Sequence, residues 1–571
     1  VYAFQLHLIL MELPCLLMEA FQLDELKVKC MKLVKYALLI NLFLLFGCSN
    51  ESAIEEGNLH KHTKILSSDE FGGREPGSPG GELTKNYIKD EFKSYGLKPI
   101  NDKYLLEVPL SKMKVDLTQS FLSIEVNGKN KNLIPGKEAV FWSKRVQESI
   151  NINNSDLIFM GYGVIAPEYE WNDYEGIDVK GKTLVILIND PGFGTKDPNL
   201  FNGKAMTYYG RWVYKFEEAA RQGAEAMIII HDTEPAAYPW QVVETSWSGK
   251  QIDLKRPDLG ASRIKLEGWI TYDIATQLFN DSGLDLEEQK LNALSRDFKP
   301  IPMKGLKLNA QLRNGLSFST SHNIAAVKEG SVRPDEYVLL MAHWDHLGTR
   351  EGHSPNNDQI YNGAVDNASG VAGILELANY FGTKETERSL LFLAVTAEES
   401  GLLGSQYFGE YPPVELANIV AGYNFDGVLP VGKTKDVIVV GYGASELEDI
   451  LKEELDKVGK YITPDPFPEK GYFYRSDHIS LAKKGVPMLY ADGGVDKIVG
   501  GVEAGSKIAN AYTAKDYHQP SDEYNPDWDL SGFNDQLTIT SKMVLRIANS
   551  EEWPKWYQGN EFKAIREASQ K

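Results

Sequence analysis

The sequence predicts an α/β protein with a mixed, largely parallel sheet flanked by helices and a β-rich region inserted into it. Two observations carry this prediction. From about residue 316 onward, strand-like apolar runs alternate with helix-like segments, a pattern typical of parallel sheets. Between about residues 104 and 310, short β-rich runs are separated by Gly, Pro and Asn instead. A chain of 571 residues has room for more than one domain.

The residues before the first predicted element are expected to form an export signal. Met31 begins a stretch with two lysines and an apolar run over 36–46, which is too short for a transmembrane helix and typical of a signal peptide. The sequence "LFGC" that follows resembles a bacterial lipoprotein cleavage site, so we expect Cys48 to carry a lipid anchor in the membrane. A buried N-terminal helix is the alternative. We therefore expect residues 1–30 to lie upstream of the true start of the protein. Residues 31–48 are expected to form the signal peptide, and residues 49–58 a tether.

The amino-terminal part of the main domain is predicted over 59–103. A Gly/Pro-rich loop over 72–81 precedes an amphipathic helix. Its apolar residues lie three to five positions apart, which indicates one buried face. These residues are Leu83, Tyr87, Ile88, Phe92 and Tyr95.

The inserted region is predicted over 104–315 and the rest of the main domain over 316–571. The inserted strands are expected at "FLSIEV", "DLIFMGYGV", "KTLVILIND" and "AMIIIHD", with a helix near 211–222. In the main domain, strands are predicted over 337–342, 389–395 and 418–425 and at "VPMLYADGG". Helices are predicted at "DNASGVAGILELANYF", "GLLGSQYFGEY" and "ASELEDILKEELDKVG".

Composition excludes some partners and some kinds of site. The formal net charge is −20, whereas a nucleic-acid partner requires a basic face. The three cysteines are Cys15, Cys30 and Cys48, and only Cys48 would remain after signal cleavage. A disulfide framework or a cysteine-rich zinc site is therefore excluded. Any bound metal must be held by His, Asp and Glu.

Titratable residues follow three of the predicted strands. They are His343 and Asp345, Glu398 and Glu399, and Asp426, while Asp366 opens the next helix after His343. In an open α/β sheet these positions lie at the carboxyl edge, where ligands usually bind. Taken alone, the His343–Asp345 pair allows a metal site, an acid/base pair or polar residues at a strand edge. Several carboxylates together would repel one another unless a divalent cation is bound, so the full set favours a metal site.

Six segments in order resemble the zinc aminopeptidase family of peptidase clan MH. They are "HWDHLG", "NGAVDNASGVAGILELA", "TAEESGLLGSQYF", "YNFDGV", "RSDHISLAKKGVP" and "YHQPSDEY". The resemblance covers roughly 60–100 and 316–550, and the intervening region resembles a protease-associated domain. It implies a zinc exopeptidase fold, two Zn²⁺ ions per chain and hydrolysis of peptides at a free N-terminus.

The resemblance also assigns roles, position by position. It implies that His343 and Asp426 bind one zinc ion, that Glu399 and His518 bind the other, and that Asp366 bridges both. It makes Glu398 the general base and Asp345 the carboxylate that orients His343. His346 is expected to pack or hydrogen-bond behind the site.

A looser match near "YRSDHISLAKKGVP" predicts Tyr474, Asp477 and His478 beside the substrate. Other activities on the same fold stay open at this point, namely a carboxypeptidase, a dipeptidase or a one-zinc glutaminyl cyclase. A non-catalytic binding protein is a further alternative. The presence of every metal-ligand position favours the aminopeptidase.

Overall fold

The computed structural model describes residues 53–350 and 358–571. The predicted signal peptide and Cys48 lie outside these residues. Helix α1 begins at Glu56, inside the last residues of the predicted tether. Among the described residues, we find no helix that is both long and apolar enough to cross a membrane.

The helices and strands have the following bounds. The helices are α1 Glu56–Leu66, α2 Pro79–Ser94, α3 Pro191–Thr195, α4 Trp212–Arg221, α5 Thr233–Ala236, α6 Trp240–Trp247, α7 Tyr272–Asp281, α8 Leu286–Asn292, α9 Gly370–Gly382, α10 Leu403–Glu410, α11 Leu447–Asp456, α12 His478–Ala482, α13 Gly501–Lys515, α14 Ser531–Ala548 and α15 Lys563–Ser569. The strands are β1 Lys98–Pro99, β2 Leu105–Val115, β3 Phe121–Val126, β4 Lys129–Asn132, β5 Ala139–Trp142, β6 Ser149–Phe159, β7 Ile165–Ala166, β8 Trp171–Asn172, β9 Thr183–Leu187, β10 Ala226–Ile230, β11 Gln251–Leu254, β12 Leu266–Ile270, β13 Ile301–Lys328, β14 Arg333–His343, β15 Gly348–Thr349, β16 Ile360–Tyr361, β17 Arg388–Val395, β18 Ile419–Phe425, β19 Asp436–Val439, β20 Tyr461–Pro464 and β21 Met488–Gly493.

The main sheet is mixed, with a parallel centre. Its strand order is β11, β2, β13, β17, β14, β18, β21, β19, β20. Strands β17, β14, β18 and β21 run parallel, and β13 joins β17 in the antiparallel sense. The predicted mixed, largely parallel sheet flanked by helices is therefore confirmed.

Both faces of the main sheet are covered at its centre, which explains the nearly continuous apolar runs of β14, β17 and β18. In β14, Val338 and Leu340 belong to the core that packs against α9 and α14. Leu339 and Met341 alternate with them and belong to the core on the opposite face. The apolar run of the strand ends at His343, which is itself buried.

A second sheet is formed mostly by residues 121–313. Its order is β4, β3, β13, β6, β9, β10, β12, β5, with β6, β9, β10 and β12 parallel. Strand β13 is continuous through both sheets, so it crosses the predicted boundary between 315 and 316. Strands β2 and β11, which lie inside the predicted insertion, pair on the main sheet. The assignment of this region as a protease-associated domain stays a prediction.

The predicted apolar face of α2 is correct except at its first position. Ile88 and Phe92 are fully buried, whereas Leu83 is 42% exposed. Leu83 precedes Ile88 by five residues, and at about 100° per residue it lies far around the helix from that face. The spacing of five residues therefore does not place Leu83 on the same apolar stripe of the helix as Ile88.

Candidate metal centre

The predicted metal ligands meet at the carboxyl edge of the main sheet. His343 is the last residue of β14, and Asp426 directly follows β18. Glu399 follows β17 after a short turn. Because these strands are parallel neighbours, their ends bring the three side chains to one place. Asp366 reaches it from the irregular turn over 364–369 that precedes α9.

His343, Asp366 and Asp426 form the first of two ligand groups. Nε2 of His343 lies 3.0 Å from Oδ1 of Asp426 and 3.3 Å from Oδ1 of Asp366. The potential ligand atoms of the three residues all lie within 4.8 Å of one another. One nitrogen and two carboxylate oxygens are therefore close enough to bind a single cation.

Asp366, Glu399 and two histidines form the second group. Nε2 of His518 lies 3.2 Å from Oδ2 of Asp366 and 3.2 Å from Oε2 of Glu399. Nδ1 of the buried His346 lies 2.6 Å from Oε1 of Glu399. His346, Asp366 and Glu399 also offer ligand atoms within 4.8 Å of one another. The structure thus brings His346 into direct contact with a predicted ligand.

The electrostatics of the centre favour positive charge. Burial would lower the pKa of His343, but the nearby carboxylates, Asp426 first among them, hold it well above its usual range. Burial would likewise lower the pKa of His518, yet Glu399 and Asp366 raise it to about 9. Among the described residues, no Lys or Arg side chain forms an ion pair with the carboxylates of these two groups.

This donor set fits zinc. Imidazole nitrogens and carboxylate oxygens, without any thiolate, are ligands that Zn²⁺ accepts. The two groups share Asp366, which offers Oδ1 to His343 in one group and Oδ2 to His518 in the other. Asp366 therefore connects the two groups through its two carboxylate oxygens.

The contact between Asp345 and His343 involves a different group of Asp345 from the carboxylate that the sequence analysis expects. Nδ1 of His343 hydrogen-bonds to the backbone carbonyl of Asp345 at 3.1 Å, while Oδ1 of the carboxylate is 4.0 Å away. That Oδ1 instead accepts a hydrogen bond from the backbone N–H of Glu398 at 3.0 Å. Burial raises the pKa of Asp345 to about 7. In this geometry the main chain of Asp345 orients His343, and its side chain holds the turn that carries Glu398.

Two residues that the sequence analysis did not single out hold the turn of Asp366. The fully buried guanidinium of Arg74 donates to the backbone carbonyls of Trp344 and Gly363 at 2.9 and 2.8 Å. Oδ2 of Asp522 accepts a hydrogen bond from the backbone N–H of Asp366 at 3.1 Å. The available signals were an arginine inside a Gly/Pro-rich loop and the second half of "YHQPSDEY".

A cavity of about 590 Å³ opens over the metal centre. Of the three residues predicted beside the substrate, Tyr474 lines this cavity, and its hydroxyl donates to Glu561 at 2.8 Å. Asp477 and His478 are fully buried outside the lining. Asp477 accepts a hydrogen bond from the hydroxyl of Ser405 at 2.6 Å. The substrate-binding role of these residues stays a prediction, and the structure gives Asp477 and His478 positions behind the cavity.

The cavity has two walls of different chemistry. One wall, called here the carboxylate wall, contains Asp366, Glu398, Glu399 and Asp426. The other, called here the aromatic wall, comes from the β-rich region and contains Trp142, Arg211, Trp212 and Trp247. The rings of Trp142 and Trp247 are stacked with centroids 5.6 Å apart. The β-rich region therefore shapes the space in front of the metal centre.

Comparison with known proteins finds similarity within the main domain. Residues 323–540 match the profile of the family described as Peptidase family M28. A probable zinc metalloprotease from Pyrenophora tritici-repentis is 37% identical over 109 residues, which is 18% of this chain and 24% of that protein. Aminopeptidase YwaD from Bacillus subtilis is 32% identical over 111 residues, or 19% of this chain and 22% of that protein. The chain thus aligns with less than a quarter of the length of these relatives.

Among solved structures, an aminopeptidase from Aneurinibacillus sp. strain AM-1 aligns with a TM-score of 0.47 and 20% identity, covering 87% of this chain and 95% of that chain. The sequence match is independent of this alignment. The match over residues 323–540 agrees with the family resemblance of the six sequence segments.

Proposed function

Since residues 323–540 match the profile of peptidase family M28, we propose that this protein is a zinc-dependent exopeptidase that removes amino acids from the free N-termini of peptides. One observation carries the proposal: the carboxylate of Asp366 contacts a histidine in each of two ligand groups. The names of the relatives, a zinc metalloprotease and an aminopeptidase, support the same activity.

We assign His343, Asp366 and Asp426 to one zinc ion, and Asp366, Glu399 and His518 to the other. Bound zinc would supply the positive charge that polarises the scissile carbonyl and lowers the pKa of water. We choose the histidine ligand of the second site by its exposure to the cavity. The side chain of His518 is 36% exposed and lines the cavity, whereas that of His346 is fully buried. His346 then supports Glu399 through its Nδ1 contact.

Glu398 is the proposed general base. It lines the cavity beside the ligand groups but belongs to neither of them. Burial raises the pKa of its carboxyl well above the usual range, and Asp426 and Glu399 add to this effect although His343 opposes it. Such a carboxylate, once ionised, is a strong proton acceptor. It would take a proton from the attacking water and deliver it to the leaving amine.

A panel of aminoacyl amides and peptides, assayed with and without a chelator, tests the proposal. We expect hydrolysis of substrates with a free N-terminal amine, loss of activity with the chelator and recovery on adding zinc. N-acetylated substrates should resist hydrolysis, and equal rates on acetylated and free-amine substrates would refute the aminopeptidase assignment. Zinc analysis should find two ions per chain, while one ion would favour a cyclase.

We also propose that the chain is exported and anchored to a membrane through Cys48. The support is the sequence "MKLVKYALLINLFLLFGC", which combines basic, apolar and small residues in the order of a lipoprotein signal. In a bacterial host, the wild-type chain should incorporate labelled fatty acid, and Cys48→Ala should not. Equal labelling of both chains would contradict the proposal.

A further inference from the structure

Two arginines line the cavity away from the metal ligands. Arg211 directly precedes α4 in the β-rich region, and Arg475 lies in the segment that precedes α12. Both residues line the cavity over the metal centre. They are electrostatic neighbours, since the charge of Arg475 lowers the pKa of Arg211.

Neither arginine has an acidic partner among the residues that the structure describes. The Nε atom of Arg211 is buried and makes no hydrogen bond within those residues. The guanidinium of Arg475 lies over the ring of Tyr472, 5.3 Å from its centroid. Burial, followed by the charge of Arg475, lowers the pKa of Arg211 to about 10. Two like charges repel each other, and a bound anion would offset this repulsion.

The other basic side chains of the cavity are already neutralised. Nζ of Lys144 lies 3.7 Å from Oδ2 of Asp253. Nζ of Lys483 lies 2.8 Å from Oε1 of Glu217. Because these lysines line the same cavity, basic character alone does not distinguish the arginine pair. The distinguishing feature is that Arg211 and Arg475 have no acidic partner in the described part of the chain.

The lining of the cavity therefore combines the carboxylates and metal ligands with two guanidinium groups that have no acidic partner among the described residues. A short peptide has a matching polarity, with its scissile bond near the N-terminus and a carboxylate further along. Guanidinium groups bind carboxylates through paired, charge-assisted hydrogen bonds. A cavity of about 590 Å³ also has the size of sites that enclose small ligands.

We propose that Arg211 and Arg475 bind a carboxylate of the peptide substrate and so direct the enzyme toward short or acidic peptides. The inference rests on the proposed exopeptidase function and adds the substrate class. The carboxylate has two possible sources with the same chemistry. It is either the C-terminus of a dipeptide or tripeptide, or the acidic side chain of a residue after the scissile bond.

Three substrates separate these sources: X-Ala, X-Ala amide and X-Glu amide, where X is the N-terminal residue that the panel shows to be cleaved fastest. Faster cleavage of X-Ala than of X-Ala amide identifies the C-terminal carboxylate. Faster cleavage of X-Glu amide than of X-Ala amide identifies the side chain. We expect a preference of about 10- to 100-fold in kcat/KM, which is the range for charge-assisted hydrogen bonds. The effect should lie mainly in KM, because the contact is remote from the reacting atoms.

Variants of each arginine test the assignment. Arg211→Gln and Arg475→Gln should each reduce the preference, and the double variant should abolish it by slowing only the carboxylate-bearing substrate. Arg475→Lys should retain part of it. The ratio of two substrates on one variant is insensitive to the folded fraction, so loss of stability cannot imitate this result. Lys144→Gln is the matched control and should leave the ratio unchanged, since that lysine is paired.

A binding measurement keeps the test independent of turnover. Calorimetry with the Glu398→Gln variant should show tighter binding of X-Ala than of X-Ala amide, and Arg211→Gln on that background should remove the difference. The inference is overturned if no carboxylate source improves cleavage or binding by more than about twofold, or if the preference survives in the double arginine variant. If no peptide is cleaved at all, the proposed function fails, while the calorimetric comparison, made with alanine as X, still decides the role of the arginines.

Discussion

The two walls of the cavity come from similar architecture and carry opposite chemistry. Each belongs to a sheet with a parallel centre and an apolar core on both faces. In the main sheet the strands end in His343 and Asp426 and deliver metal ligands. In the β-rich region, α4 and α6 present Arg211 and Trp247 instead. The sheet supplies a rigid frame in both cases, and the residues at its ends and in its loops decide the chemistry.

The largest effect is expected on the carboxylate wall, from Asp366→Ala. This substitution removes one ligand from both groups, so zinc binding and peptidase activity should fall together below detection. Metal analysis and the aminoacyl amide assay measure the two quantities. Asp527→Ala, at an exposed position outside the site, is the matched control. A variant that retains two zinc ions would show that Asp366 does not bridge them.

Glu398→Gln should separate catalysis from metal binding within the same wall. Activity should fall by about 10²- to 10⁴-fold, the usual contribution of a general acid–base group. Zinc content should stay at the wild-type value, because Glu398 belongs to neither ligand group. Loss of zinc in this variant would make Glu398 a ligand and would refute its role as the base.

A comparison of His518→Ala with His346→Ala sharpens the assignment of the second site. His518→Ala should cost more zinc affinity, because its Nε2 lies close to oxygens of both Asp366 and Glu399. His346→Ala should weaken zinc binding by about 10- to 100-fold, as expected for a group that supports a ligand. Titration with a competing chelator gives both affinities. The reverse order would make His346 the ligand.

The smallest effect is expected on the aromatic wall, from Trp247→Ala. This change removes the ring stacked on Trp142 and should raise KM for peptides by about 2- to 10-fold, in line with the energy of an aromatic contact. Zinc content should not change, since the wall holds no ligand of either group. Steady-state kinetics and metal analysis check both statements. A loss of zinc would mean that the two walls are structurally coupled.

The order of the elements in the main domain could be predicted because its signals are local. The strand over 389–395 and the helix after "DNASG" follow from apolar runs and from periodicity, and both occur close to their predicted bounds. The boundary at 315/316 could not be located in the same way. Strand β13 runs through it without a break and pairs with different partners along its length. Which strand lies beside which is a long-range property that local periodicity does not contain.

The same difference between local signals and long-range contacts applies to the metal centre. The placement of His343 and Asp426 follows from strand ends, and the sequence indicates it directly. The contact of His346 with Glu399 joins residues 53 positions apart in the chain, and that of Arg74 with Gly363 joins residues 289 positions apart. For Asp345, only the folded backbone shows that its carbonyl, rather than its carboxylate, meets His343. Such contacts depend on the direction of each side chain as well as on its position along the chain.

The sequence by itself determined the α/β class of the main domain, the residue types that can bind metal and the absence of a cysteine ligand. These depend on composition, on periodicity and on where apolar runs stop. The tertiary structure alone decided that His346 touches Glu399, and that Arg211 and Arg475 line one cavity without an acidic partner among the described residues. The physical reason is that pairing is set by distances between folded segments, and a residue's partners are fixed only when the sheets and loops have packed.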